Sequence, residues 1–415
     1  MPDKRTMNPQ PDTGAAVATA QESRYRIVIA GLLLSAHFAV GLNVFSVSPI
    51  LLEVIGDYGI NSSAAGLLVA LPLLVAALVG LPGGIIGVRL GFKRAFAAGW
   101  CLIGLSAISF LAPNFLSLLA LRLLLGLGTS LVLTVTGPLL TQWFRPKELM
   151  MMNGLNTATL SLGIAVSVTT AAPIASVLGW QIALSVFGGV GALGAFAWIV
   201  LGKAQQDAGQ LATSVSIREL RRVVSKRAIL LLLAADAGVL IQYTALTGWL
   251  PTFYTEVRGM NPALAGFTAG ILPFVGVFAV LLGAFLPLHF GSPKSFLIVP
   301  GVMVVIGGLG SFLLGNTIAI YISLILVGIG SWLYVPTLLS QCMELAGMVP
   351  RNVALVFGSL ITVSGMGMFV APLTVGILRD LSGSFIPGFF ICALAGWALL
   401  LAGILMPRAE ASREL

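Results

Sequence analysis

Charge is what this sequence has least of. Asp, Glu, Lys and Arg together make up 9% of its 415 residues, where a water-soluble domain carries about 25% because its surface must be hydrated. A chain of this size with so few charges cannot cover itself in water. Histidine occurs twice, and the three cysteines, Cys101, Cys342 and Cys392, lie in apolar surroundings with no paired spacing. That excludes a disulfide framework and a Cys/His metal centre, and leaves the cysteines as packing residues. Also missing are a nucleotide-binding Gly-Lys loop, His-Glu-x-x-His, Cys-x-x-Cys and a nucleophile elbow. No catalytic residue, cofactor or metal is expected, and uphill work would draw on a gradient rather than on ATP. The alternating segments of about 10 residues that build a membrane β-barrel are absent as well.

What the sequence has instead is long apolar runs. Hydrophobic residues make up 58% of it and glycine supplies 49 positions. The runs repeatedly exceed the roughly 18–20 residues that cross a hydrocarbon core as helix, and small residues let such helices approach closely. Turn signals divide the runs into twelve spans: 27–55, 62–88, 93–112, 116–143, 149–173, 180–202, 228–256, 262–289, 294–315, 317–341, 352–378 and 384–406. Residues 1–26 read as a polar disordered tail, 203–227 as a linker and 407–415 as a second tail. The first apolar run is too long for a signal-peptide core and no small-residue cleavage site follows it, so it is expected to stay as span 1. The fold class is therefore an all-α membrane protein, with six helices in 27–202 and six in 228–406.

The two sets are copies. Gly59-Ile60-Asn61 is answered by Gly259-Met260-Asn261, Pro49 by Pro251, Leu71-Pro72 by Leu272-Pro273, Gly126-Leu127-Gly128 by Gly328-Ile329-Gly330, Leu139-Leu140-Thr141-Gln142 by Leu338-Leu339-Ser340-Gln341, and Ala172-Pro173 by Ala371-Pro372, all at an offset of about 200 residues. A colinear series at nearly constant offset means a duplicated unit, and in an apolar chain it points to a transporter with its solute site between pseudo-symmetric halves.

Charge placement orients them. All but three of the 22 Lys and Arg residues (Arg122, Arg258 and Arg379) fall in the tails, the linker or the even-numbered connections. Cytoplasmic segments carry the Lys/Arg excess, so both termini and the linker are expected in the cytoplasm. The net charge of +8 fits an anionic inner leaflet and offers no aromatic-interleaved basic surface for nucleic acid. In the linker, Ser216 with Glu219 could cap a short helix that lays Arg218, Arg221 and Arg222 on the membrane; a solvated tether is the alternative.

Twelve spans in two similar halves resemble the major facilitator superfamily. The connection Gly84-Ile85-Ile86-Gly87-Val88-Arg89-Leu90-Gly91-Phe92-Lys93-Arg94 resembles that family's cytoplasmic loop motif, which implies a conformational gate at Gly84, Arg89, Gly91, Lys93 and Arg94. The motif's Asp falls on Val88, so the charge lock it implies must be weaker or differently paired. The second half has Leu288-His289-Phe290-Gly291 at the matching place. Arg122 with Gly126 and Gly128 is similar to the family's fourth-helix signature. Ala172-Pro173 lacks the glycines of the drug/proton antiporter motif, which lowers a multidrug-efflux reading. Thr247-Gly248-Trp249-Leu250-Pro251 through Glu256 resembles the seventh helix of the cyanate/nitroimidazole porter branch.

Ionisable groups inside a span are expensive and so become candidates. Asp236 lies roughly 12 Å along span 7 at 1.5 Å per residue; it is either a proton-coupling carboxylate or one hydrogen-bonded near the cytoplasmic mouth. His37, near the middle of span 1, titrates near neutral pH and is a candidate for solute contact and proton coupling, against a packing role. Arg122 offers either attraction for an anion or an anchor on a backbone carbonyl, Glu53 or Asp57. Asn43, Gln242, Tyr243, Trp249, Trp332 and Tyr334 fall at middle depths of spans 1, 7 and 10, which the resemblance places around the central cavity; helix–helix hydrogen bonds are the alternative. Pro49, Pro72, Pro138, Pro251, Pro273 and Pro336 supply paired bends. The expectation is a monomeric inner-membrane secondary transporter that moves a small solute by alternating access, with an anion preferred because of Arg122, coupled to protons or uncoupled. A multidrug antiporter of the same fold and a non-transporting sensor are the rivals. Its partners are the solute, protons and the bilayer.

Overall fold

The repeated Gly-x-Asn of the sequence turns out to be a helix-start device. The computed structural model of the protein describes residues 24–204, 217–288, 292, 294–346 and 350–406. In it Gly59 and Gly259 take left-handed backbone angles (φ 61° and 66°), which cost glycine nothing. Two residues on, Asn61 and Asn261 accept from the backbone N–H of Ala64 and Leu264 at 2.9 and 2.8 Å. Asn114 and Asn316 repeat the cap at the starts of two further helices. Each such cap is worth about 1 kcal/mol, and together they fix where four spans begin.

Twelve helices among the described residues are long and apolar enough to cross a membrane. Spans 1–6 cover Arg26–Tyr58, Ser62–Leu90, Phe92–Leu111, Phe115–Trp143, Pro146–Leu178 and Trp180–Leu201. Spans 7–12 cover Arg227–Glu256, Pro262–Phe285, Ser295–Leu313, Thr317–Leu345, Pro350–Ser382 and Ile386–Leu405. Two helices outrun the sequence expectation: span 5, expected to stop at Pro173, passes it to Leu178, and span 11, expected to run past Pro372 to 378, continues to Ser382. One proline removes one backbone hydrogen bond, and neighbouring helices can absorb that loss inside a membrane. The outward surface is apolar, with Val177, Leu193, Phe196 and Ile318 well exposed, as lipid contact requires.

Packing partners repeat along with the sequence. Span 1 packs on spans 5 and 6, and span 7 on 11 and 12; span 2 packs on 4, and span 8 on 10; span 3 meets 4 and 6, and span 9 meets 10 and 12. The two sets join through spans 2 and 11 and through spans 5 and 8, contacts that map onto each other when the sets are exchanged. Close approaches at glycine bring these helices together: a Cβ on Gly66 would lie 2.9 Å from the Pro372 carbonyl oxygen, and one on Gly266 2.6 Å from that of Val168.

Three spans are broken. Span 3 is α-helical to Gly104 and continues as a 3-10 helix over Leu105–Leu111 with a kink at Ile108. Span 1 stops at Val44, makes a 3-10 turn over Ser48–Ile50 and resumes at Leu51–Tyr58; span 10 stops at Leu333 and resumes at Val335–Leu345. Of the six prolines expected to bend spans, only Pro49 and Pro336 sit at these breaks, while Pro72, Pro138, Pro251 and Pro273 lie inside unbroken helices. In the linker a helix forms over Ile217–Val224, with Val223 buried against the second set. Ser216, its expected cap, and the segments 1–23, 205–216 and 407–415 lie outside the described residues.

Candidate functional site

Between the two sets lies a cavity of about 170 Å³, walled by spans 1, 2, 4, 5, 7, 10 and 11. Its wall is mostly aliphatic: Val40, Leu73, Leu133, Ile164 and Ile361 are typical. No charged side chain lines it among the described residues. Four side chains there can hydrogen-bond, Thr129 of span 4, Tyr243 and Thr244 of span 7 and Trp332 of span 10. All four carry a buried polar atom with no partner: Thr129 Oγ1, Tyr243 Oη, Thr244 Oγ1 and Trp332 Nε1. These polar atoms are themselves buried, and Tyr243 has Trp332, Ser161 and Thr247 as polar neighbours, so the wall presents mainly carbon with hydrogen-bonding groups just behind it. Tyr243 and Trp332 meet edge to face, ring centroids 5.4 Å apart at 87°.

The structure brings two of the sequence candidates, Tyr243 and Trp332, to this wall and places the others elsewhere. Arg122 is buried with all of its guanidinium nitrogens engaged: Nε donates to the Leu68 carbonyl at 2.7 Å, and the terminal nitrogens to those of Asn43 and Val44 at 2.8 and 2.6 Å. Two of these carbonyls belong to the open end of the first helix of span 1, which leaves its last acceptors without helical donors. Asn43 Nδ2 donates to the Ala39 and Phe187 carbonyls, tying span 1 to span 6. Gln242 donates to the Val304 carbonyl at 3.1 Å and fills the space left by Gly308 and Gly396, between spans 9 and 12. Trp249 is fully buried, donates to the Pro372 carbonyl at 2.9 Å and packs on Phe385. His37 sits one turn before Val40, its Nδ1 3.0 Å from the Leu33 carbonyl. Thr129 and Thr244 escaped the sequence reading, although each directly follows a residue it singled out, Gly128 or Tyr243.

Asp236 heads a second polar cluster. Tyr334, at the break in span 10, donates to its Oδ1 at 2.7 Å, and Ser364 of span 11 donates to Oδ2. Among the described residues no cation pairs with it. The cluster lies one helical turn from the cavity, since Leu240 and Gly365 line the wall.

The expected gate residues lie at the face where span 1 begins and span 12 ends. Gly91, at φ 81°, makes the tight turn between spans 2 and 3. Arg89, Lys93 and Arg94 are exposed, and among the described residues Arg89 makes no ion pair. Gly84 falls inside the span 2 helix, in a stretch whose side chains lie outside the described set. At the opposite face the two sets are tied directly. Asp380, ending span 11, accepts from the backbone N–H groups of Ser62 and Ser63 at 3.0 and 2.7 Å and from the Ser63 hydroxyl at 2.5 Å. It thus caps span 2 from the other set. Arg379 beside it donates to Ser62 Oγ at 3.0 Å and pairs with Glu256 of span 7.

Residues 33–372 match the family model described as Major Facilitator Superfamily. The chain is 26% identical over 299 residues to the 2-nitroimidazole transporter of Escherichia coli (strain K12), covering 71% of this chain and 74% of the relative. It is 24% identical over 371 residues to the nitrite extrusion protein of Bacillus subtilis (strain 168), covering 86% and 89%. Among solved structures it is similar to a bacterial homolog of the human lysosomal transporter Spinster, with a TM-score of 0.72 at 16% identity over 92% of this chain and 95% of that one.

Proposed function

The chain belongs to the Major Facilitator Superfamily, multi-pass inner-membrane transporters that carry small solutes by alternating access, and from that premise we propose that its solute is a small, uncharged, flat molecule with a polar edge. One observation carries this reading: the cavity wall pairs aliphatic side chains with four neutral hydrogen-bonding side chains and, among the described residues, no fixed charge. Aliphatic walls take up an apolar ring, and Thr129, Tyr243, Thr244 and Trp332 supply donors for a nitro, carbonyl or ring-nitrogen edge. The volume is well below the roughly 300–1,000 Å³ of drug-sized pockets, which argues against multidrug efflux. Similarity to the 2-nitroimidazole transporter supports the same class and the cyanate/nitroimidazole branch.

Anion carriage is the second reading. The relative named for nitrite extrusion favours it, and the same four donors could hold an oxyanion. Arg122, its original basis, has its donors committed to backbone carbonyls. Coupling belongs to Asp236: a buried carboxylate without a cation is costly, so occupancy by a proton changes the stability of the cluster. The Lys/Arg distribution supports cytoplasmic termini.

Uptake into proteoliposomes tests the substrate class. Tyr243→Phe and Thr129→Val each remove one hydrogen bond at near-constant volume and are expected to weaken transport of 2-nitroimidazole about 5-fold, the equivalent of about 1 kcal/mol. Saturable nitrite uptake by the parent protein, with 2-nitroimidazole neither carried nor competing, would overturn the neutral-solute reading in favour of the anion.

A further inference from the structure

Gly276 of span 8 does not line the cavity, yet it touches the residue that shapes it. A Cβ built there would lie 2.8 Å from Trp332 Nε1 and 2.9 Å from Ser161 Oγ, and closer still to Trp332 Cδ1. Real carbon contacts do not reach such distances, and the neighbours are poorly placed to yield. Trp332 is held edge to face by Tyr243. Ser161, from span 5 of the other set, donates to the Pro273 carbonyl at 2.7 Å, so its hydroxyl is pinned. The indole therefore packs on Gly276 and Tyr243 and also lines the cavity, while Ser161 Oγ closes another side of the space a Cβ on Gly276 would need.

The duplicated sequence shows that this seat is particular to one half. At the repeat offset, Gly276 corresponds to Val75 and Trp332 to Ser130. The first half thus has a large residue in its second helix and a small one in its fourth. The second half has the reverse. Volume has been exchanged between the two positions, and the missing side chain of Gly276 accompanies the added ring of Trp332.

We infer that Gly276 and Ser161 set the size limit of the transported solute by seating Trp332 at the edge of the cavity. The inference rests on the cavity being the solute site. Adding a methyl at Gly276 displaces the indole inward and shrinks a space of about 170 Å³ by a fraction that a small solute feels. A smaller ring at position 332 removes the conflict with the indole and leaves only the contact with Ser161 Oγ.

Two measurements on the full-length protein keep the seat and the site separable. The first is a melting cycle in detergent. Gly276→Ala is expected to lower the melting temperature by about 2–4 °C per kcal/mol of overpacking, and most of the loss is expected to disappear when Trp332→Phe is already present. Additive shifts would overturn the seat. The second is uptake of imidazole, nitrite and 2-nitroimidazole into proteoliposomes. Gly276→Ala is expected to cut uptake of 2-nitroimidazole ten-fold or more while sparing the smaller solutes, and Gly276→Ala/Trp332→Phe to return it to the Trp332→Phe level. Equal loss for every solute, or no loss, would overturn the size limit. Failure of the parent protein to carry any probe would count against the proposed substrate class, leaving the seat to be decided by the melting cycle.

Discussion

Arg122 shows how a guanidinium survives inside a membrane domain without an acid beside it. Breaking span 1 after Val44 strips the helix of donors for its last carbonyls, and the fork of Arg122 reaches two of them and the Leu68 carbonyl of span 2 at once. The charge meets oriented dipoles, and the dipoles meet donors. Asp57, weighed as its partner, accepts instead from Trp180 Nε1 at 2.5 Å. Arg122→Met is expected to orphan three buried acceptors, at about 1–3 kcal/mol each, and to melt the protein far below the parent in detergent. Arg122→Lys is expected to recover part of the loss, because one ammonium cannot span three carbonyls. Equal melting of all three proteins would show that the carbonyls find other donors.

At the scale of the element, the breaks in spans 1 and 10 matter most. Paired prolines in the sequence suggested paired bends, but the structure breaks spans 1 and 3 in one set and span 10 in the other, positions that do not correspond. A proline inside a helix removes one hydrogen bond, whereas Pro49 and Pro336 sit in the first turn after each break, where none is lost; whether a helix opens depends on which side chains can serve the freed groups. Arg122 does so in span 1. In span 10 the break is held from the side, by Tyr334 donating to Asp236. Trp332, two residues earlier at the end of the first helix of span 10, lines the cavity, so the proposed coupling has a short route from Asp236 through Tyr334 to the wall. Asp236→Asn is expected to keep downhill solute flux within a few-fold and to abolish its acceleration by an imposed proton gradient. Tyr334→Phe is expected to weaken the same response while leaving the carboxyl in place. Flux by Asp236→Asn that still follows the proton gradient in full would remove this residue from the coupling mechanism.

At the scale of the molecule, the ties between the two sets are uneven. At the face where span 1 begins, the motif that resembles a charge lock has Val88 where an acid is expected, and among the described residues Arg89 makes no ion pair. At the opposite face Asp380 caps span 2 from span 11, and Arg379 bridges Ser62 and Glu256. The molecule is therefore latched where spans 2 and 11 meet, and opening that face must free the Ser62 and Ser63 N–H groups while the cap from Asn61 stays. With Phe45→Cys on the cavity wall in a cysteine-depleted background, Asp380→Ala is expected to raise labelling by a membrane-impermeant thiol reagent several-fold from the side opposite the start of span 1. Unchanged labelling would show that the latch does not govern access.

The sequence by itself determined the number of spans, because a helix must be long and apolar to cross lipid, and the duplication, because copied helix starts keep the same Gly-x-Asn turn. It also singled out Tyr243 and Trp332. Only the tertiary structure decided which polar groups face the cavity. Asn43, Gln242, Trp249 and Tyr334 have the same chemistry and depth as the wall residues, but each is spent on a neighbouring carbonyl or carboxylate, and that depends on how each helix is rotated. Rotation within a bundle is set by packing all around the helix, and spans apolar on every side carry no polar face from which to read it.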